Sequence, residues 1–311
     1  MQHIVTSASA VDDDLATAPA PAVVLWRILG NDIVPRHAPG QTQRNLEFIL
    51  DREGTFPGCE KRFLLNRIMD PTVLAQIRER LEHAGIRYDV IPFERSAYLA
   101  QPDAEARVRY ITNVNAARNH CVKVGLSVAP FTLPFDGNCF FSNAGWQGFF
   151  DVACSHPDAA AFVVPMWRLQ DNRHALVRGR RPKLKETVAR RLRIWPIRQP
   201  VEPQIGFTRT TDVRFDEGLV YSKCPKAELL WRLGVAGPWD RWETELQRDT
   251  RARNGSSKYF ADRRLIPDAG FVCRLTSGNK HADSSIGHRS AVRRAGLEDL
   301  EKVADAACGR P

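Results

Sequence analysis

From residue 22 to about 170 the chain alternates short apolar runs with amphipathic stretches, and this alternation limits its fold more than any other feature. The run AVVLWRIL (22–29) is apolar apart from Arg27 and closes on Gly30-Asn31-Asp32. A strand covered on both faces reads this way. Beyond a Pro- and Gly-bearing loop, Leu46, Ile49 and Leu50 share one helical face. Residues 61–70, KRFLLNRIMD, read as a second strand, and Pro71 opens a helix carrying Leu74, Ile77, Leu81 and Ala84 up to a stop at Gly85. A third strand is expected over 87–93 and one helix over 107–128. A fourth strand over 131–141 runs into a turn, a helix follows from Asn143, and a fifth strand spans 159–169. Strands and helices in this order predict an α/β fold with a Rossmann-like, mostly parallel sheet flanked by helices. Such a sheet binds ligands beyond the carboxyl ends of its strands.

Residues 1–21, rich in Ala, Ser, Asp and Pro, read as a disordered tail. Residues 22–170 form the alternating half, and 171–311 a less regular half of the same domain. In that second half a strand is expected in EPQIGFTR, a helix in KAELLWRLG, a late strand in AGFVCRLTSG and a C-terminal helix over 290–307.

The chain has 311 residues and a formal net charge of +9. Much of the excess sits in 168–198, which includes RGRRPKLKETVARRLR. That segment would meet nucleotide phosphates, an anionic membrane or a polyanionic acceptor, or it is simply a solvated face. Only Trp167 and Trp195 accompany it and no nucleic-acid motif is present, so nucleic acid is an unlikely partner. The seven cysteines are scattered without CxxC spacing, which fits a reducing compartment. The N-terminus lacks a signal-peptide pattern and no run is long enough to span a bilayer. The expectation is a cytoplasmic protein, with a peripheral place at the inner membrane face left open.

The chemistry concentrates in FTLPFDGNCFF (131–141), where an apolar strand delivers Asp136-Gly137-Asn138 into a turn. If the backbone stays extended, Asp136 and Asn138 point to one side and offer two oxygens to Mn2+ or Mg2+. Otherwise Asp136 closes an Asx turn on its own backbone. Upstream, the helix carries Asn115-Ala116-Ala117-Arg118-Asn119, and the first strand ends in Arg27-Ile28-Leu29-Gly30-Asn31-Asp32.

Together these pieces resemble the GT-A nucleotide-sugar glycosyltransferases, the family 2-like group in particular. There an Asn/Ala-Arg-Asn helix precedes a strand ending in a metal-binding Asp-x-Asp motif. The similarity spans about 22–170 and departs from the pattern at Asn138, whose neutral amide weakens metal affinity. It implies sugar transfer from a nucleotide-diphosphate sugar to a glycan, lipid-linked saccharide or small molecule, assisted by Mn2+ or Mg2+. Arg27, Asn31, Asp32, Arg118, Asn119 and Asp136 would then line the donor pocket, although Asp32 would equally cap a turn. Asp136 and Asn138 would hold the metal, with His281 as a late third ligand and His288 behind it. An inverting reaction also needs a carboxylate base in the second half. Asp240, between Trp239 and Trp242, is the first candidate and Glu202 the second, ahead of Asp216, Glu217, Glu228 and Glu243. A nucleotidyltransferase is the alternative enzyme, but the first loop has a lone Gly30 and no GxGxxG. A non-catalytic, basic nucleic-acid-binding protein is the alternative outside enzymes.

Overall fold

A computed structural model describes residues 5–6, 20–169, 171–176, 194–196, 203–219, 225–233, 269–276 and 286–310. Its strands are β1 (Val5–Thr6), β2 (Val23–Leu29), β3 (Cys59–Asn66), β4 (Arg87–Ile91), β5 (Phe131–Asp136), β6 (Cys139–Phe140), β7 (Ala161–Val164), β8 (Met166–Leu169), β9 (Ile194–Pro196), β10 (Gln204–Thr208) and β11 (Val272–Arg274). The main sheet has seven strands in the order β1-β4-β3-β2-β5-β10-β7. Strands β4, β3, β2 and β5 run parallel, whereas β1 and β10 pair antiparallel to their neighbours.

Strand alternation in β2 explains how the helices divide. Val23, Leu25 and Leu29 face one side, where α1 (Gln41–Arg52), α2 (Pro71–His83) and α6 (Asn143–Ser155) supply Leu46, Ile77 and Phe149. Val24 and Trp26 face the other side, against Ala117 and Cys121 of α5 (Val114–Val128). The sheet is therefore wound on both faces, as the apolar runs predict. Gly125 lets α5 approach closely, because a Cβ there would lie 2.1 Å from Thr132 Oγ1.

Two expected elements are divided. The single helix over 107–128 is two helices, α4 (Ala104–Thr112) and α5, because Asn113 adopts a left-handed backbone with φ 43°. Asparagine tolerates that region better than most residues. The fifth strand breaks at Pro165 into β7 of the main sheet and β8 of a second sheet, ordered β6-β11-β8-β9. Proline cannot donate to a ladder, and its carbonyl instead accepts from Val272 N–H at 2.9 Å.

The remaining helices are α3 (Arg95–Leu99), α7 (Pro225–Arg232) and the C-terminal α8 (Ile286–Ala307), which begins before the expected 290. Leu297, Leu300 and Ala304 of α8 bury against Tyr98, Tyr110 and Ile33. Most of 1–21 and most of the basic segment 168–198 lie outside the described residues. Among the described residues, no helix is long and apolar enough to cross a membrane.

Candidate functional site

Asp136 is the last residue of β5, and three distant elements converge on its carboxyl group. From α5, Arg118 Nη2 donates to Oδ1 at 2.9 Å. From α7, Lys226 Nζ donates to Oδ2 at 2.7 Å, and from β10, Gln204 Nε2 reaches the same oxygen at 3.2 Å. Arg118 and Lys226 are each only 2% exposed at the side chain, while Asp136 is 37% exposed. Burial raises the Asp136 carboxyl pKa. The charges and hydrogen bonds of Lys226 and Arg118 outweigh that and hold it well below the usual carboxylate range.

The Asn-Ala-Ala-Arg-Asn helix does two jobs with one face. Arg118 points to Asp136, and its Nη1 donates to Asn115 Oδ1 at 3.3 Å. The two asparagines hold the segment after β10. Asn115 Nδ2 donates to Asp216 O at 2.5 Å. Asn119 pairs reciprocally with Phe215, giving to its carbonyl and receiving from its N–H, both at 2.9 Å. An asparagine amide can copy a strand's donor and acceptor pair in this way. Phe215 in turn lies beneath the Arg118 guanidinium, 5.1 Å from carbon to ring centre. Asn119 thus positions the loop that covers Arg118.

At the end of β2 the predicted ligand residues serve the scaffold. Arg27 is fully buried on the α1 side, where its Nε donates to Cys139 O at 2.7 Å and its Nη2 pairs with Glu53. Glu53 also accepts from Phe141 N–H at 2.7 Å. Arg27 therefore pins the turn after Asp136 from inside. Asn31 braces the loop after β3, giving to Arg67 O and accepting from Met69 N–H. Asp32 accepts from Gln41 N–H at 2.9 Å and Thr42 N–H at 3.0 Å, which caps α1. Of the two roles open to Asp32, the structure displays the cap. Nearby, burial, with Arg36 and Arg274 close by, pushes the His37 imidazole down to about 3. Its Nδ1 accepts from Ile33 N–H at 3.1 Å.

The turn after Asp136 does not suit the metal expected at Asp136 and Asn138. After Asp136 the backbone turns at Gly137-Asn138 rather than staying extended. Gly137 is required there, since a Cβ would sit 2.7 Å from Ile28 O. The turn separates the two side chains' tasks. Asn138 O accepts from Leu275 N–H, and its Oδ1 lies 4.0 Å from Cys139 Sγ. Both Asp136 oxygens already accept from cations, so the triad carries a net +1. A dication brought to it meets repulsion of about 4 kcal/mol per pair of unit charges at about 4 Å, with an effective dielectric near 20. Among the described residues no group of three His, Cys, Asp or Glu could hold a metal ion. The described residues do not fit a divalent cation. His281, the proposed third ligand, lies outside them, as do both candidate bases, Asp240 and Glu202. Of the other candidate acids, Glu228 is buried and paired with Arg232 at 2.5 Å.

Sequence reasoning missed Lys226 and Gln204. Only the placement of Gln204 just inside an apolar strand, and of Lys226 next to Pro225 at a helix start, hinted at either. Burial pushes the thiols of Cys59, Cys139 and Cys273 up to about 12, in keeping with unreactive interior cysteines.

No family model and no curated protein matches the sequence. Among solved structures, the chain is similar to the mannosyltransferase PcManGT from Pyrobaculum calidifontis in complex with GDP-Man and Mn2+. The identity is 11% and the TM-score 0.41, over 94% of this chain and 74% of that one. It is also similar to S. aureus TarS 1-349, with 11% identity and a TM-score of 0.37, over 91% of this chain and 73% of that one.

Proposed function

We propose that the chain is a glycosyltransferase of GT-A type, moving a sugar from a nucleotide-diphosphate carrier to an acceptor hydroxyl. The observation that carries this reading is the meeting of Arg118 with Asp136 at the carboxyl end of β5. It joins the two motifs behind the family resemblance at the sheet edge where such folds bind ligands. A glycan or lipid-linked saccharide is the proposed acceptor. Asp240 is the proposed base that removes the acceptor proton, with Glu202 second. The basic segment 168–198 is proposed to rest against an anionic surface, the polar acceptor or the cytoplasmic membrane face.

The test is a thermal-shift panel of UDP, GDP, dTDP and CMP, each with and without Mn2+. A ligand that binds only the native state at a hundredfold excess over its Kd adds about 2.7 kcal/mol of apparent stability. A shift with any of the diphosphates supports the reading. No shift with any nucleotide, in either condition, rejects it.

A further inference from the structure

Arg118 and Lys226 offer donors that nothing described accepts. An ammonium has three N–H groups, and Asp136 is the acceptor found for Lys226 among the described residues. Lys226 is nevertheless almost wholly buried. Arg118 Nε likewise has no partner among the described residues. Buried donors without acceptors are costly. Of the acids on these segments, Glu228 is paired with Arg232 and Glu217 accepts from Asn119, and neither is found bonded to Arg118 or Lys226. The Asp216 carboxylate accepts from Gly218 N–H. Among the described residues the two cations share the one carboxylate of Asp136, so acceptor oxygens and negative charge both fall short there. A divalent cation supplies neither, whereas a diphosphate supplies both.

We propose that the Arg118–Lys226–Asp136 triad grips the donor's diphosphate directly, in place of a divalent cation. Asp136 is then a positioning residue that holds the two cations apart and oriented before the ligand arrives. Lys226 uses its remaining N–H groups on phosphate oxygens. This inference rests on the sugar-transfer reading and concerns the same site.

Calorimetric titration of the full chain with UDP and GDP, in EDTA and again in excess Mn2+, tests it. Affinity in EDTA is expected to match that in Mn2+ within about twofold, a difference well under 1 kcal/mol. Lys226→Met should weaken binding in EDTA at least about tenfold, and Lys226→Arg should keep most of it. A gain of about tenfold or more from Mn2+ would overturn the inference and leave the sugar-transfer reading standing. Absence of binding in both conditions would overturn both. If Lys226→Met melts before it can be titrated, the comparison of EDTA with Mn2+ on the unaltered chain decides alone.

Discussion

Arg118 Nη2 and Asp136 Oδ1 lie 2.9 Å apart, joining the middle of helix α5 to the last residue of strand β5. With Lys226 on the other oxygen, the carboxylate keeps two buried cations from facing each other unpaired.

Asp136→Asn should therefore cost stability at neutral pH. Removing one member of a buried ion pair costs ~3–5 kcal/mol, and the partial exposure of Asp136 brings the expectation to about 3 kcal/mol. Because its folded pKa is depressed, the contribution is complete above the unfolded value near ~3.9 and is lost as pH falls through the folded one. Urea midpoints measured across acid pH should show the two proteins converging only below pH ~4. A constant gap down to the most acidic point would contradict the ion-pair account.

His37 predicts a different acid response. Burial pushes its folded pKa down to about 3, below the ordinary imidazole value of 6.5, so protonation favours the unfolded chain. Stability from this group is unaffected above 6.5 and falls as pH drops from there toward about 3. In NMR the His37 ring should stay neutral at pH ~5, where an unperturbed histidine is charged. A ring already protonated at that pH would refute the buried-acceptor geometry.

Asn119→Ala should loosen the segment after β10 rather than unfold the chain. Two hydrogen bonds to Phe215 are lost, each worth about 1 kcal/mol net. Hydrogen exchange at the Phe215 amide should accelerate by at least about tenfold, while amides of β2 and β3 keep their protection. Unchanged protection at Phe215 would mean that another contact holds the loop.

Asp240→Asn addresses the proposed base. The amide keeps the shape and removes basicity, so kcat should fall by ~10²–10⁴-fold while donor affinity holds. If Asp240→Asn stays active and Glu202→Gln does not, the base is Glu202. Full activity in both variants would reject a base at either position.

The sequence alone determined the alternation of strands and helices in the first half, though not its divisions at Asn113 and Pro165, and the two motifs that meet at the carboxyl end of β5. Those signals are local. A strand buried on both faces must be nearly all apolar, as Ala22–Leu29 is but for Arg27, and a helix start such as Pro71 is marked by its own residues. Whether a polar residue faces a ligand or the interior is a different kind of fact. Arg27 looks like a ligand residue in the sequence, yet the twofold alternation of β2 turns it inward to Glu53. Asp32 sits beside it and caps a helix instead. The break at Asn113 rests on one left-handed backbone angle within an otherwise helical pattern. Lys226 beside Pro225 at a helix start does not name its partner, because Asp136 is 90 positions away. Only closure of that long loop brings the charges within hydrogen-bonding distance, and periodicity along a chain cannot register a contact made by folding.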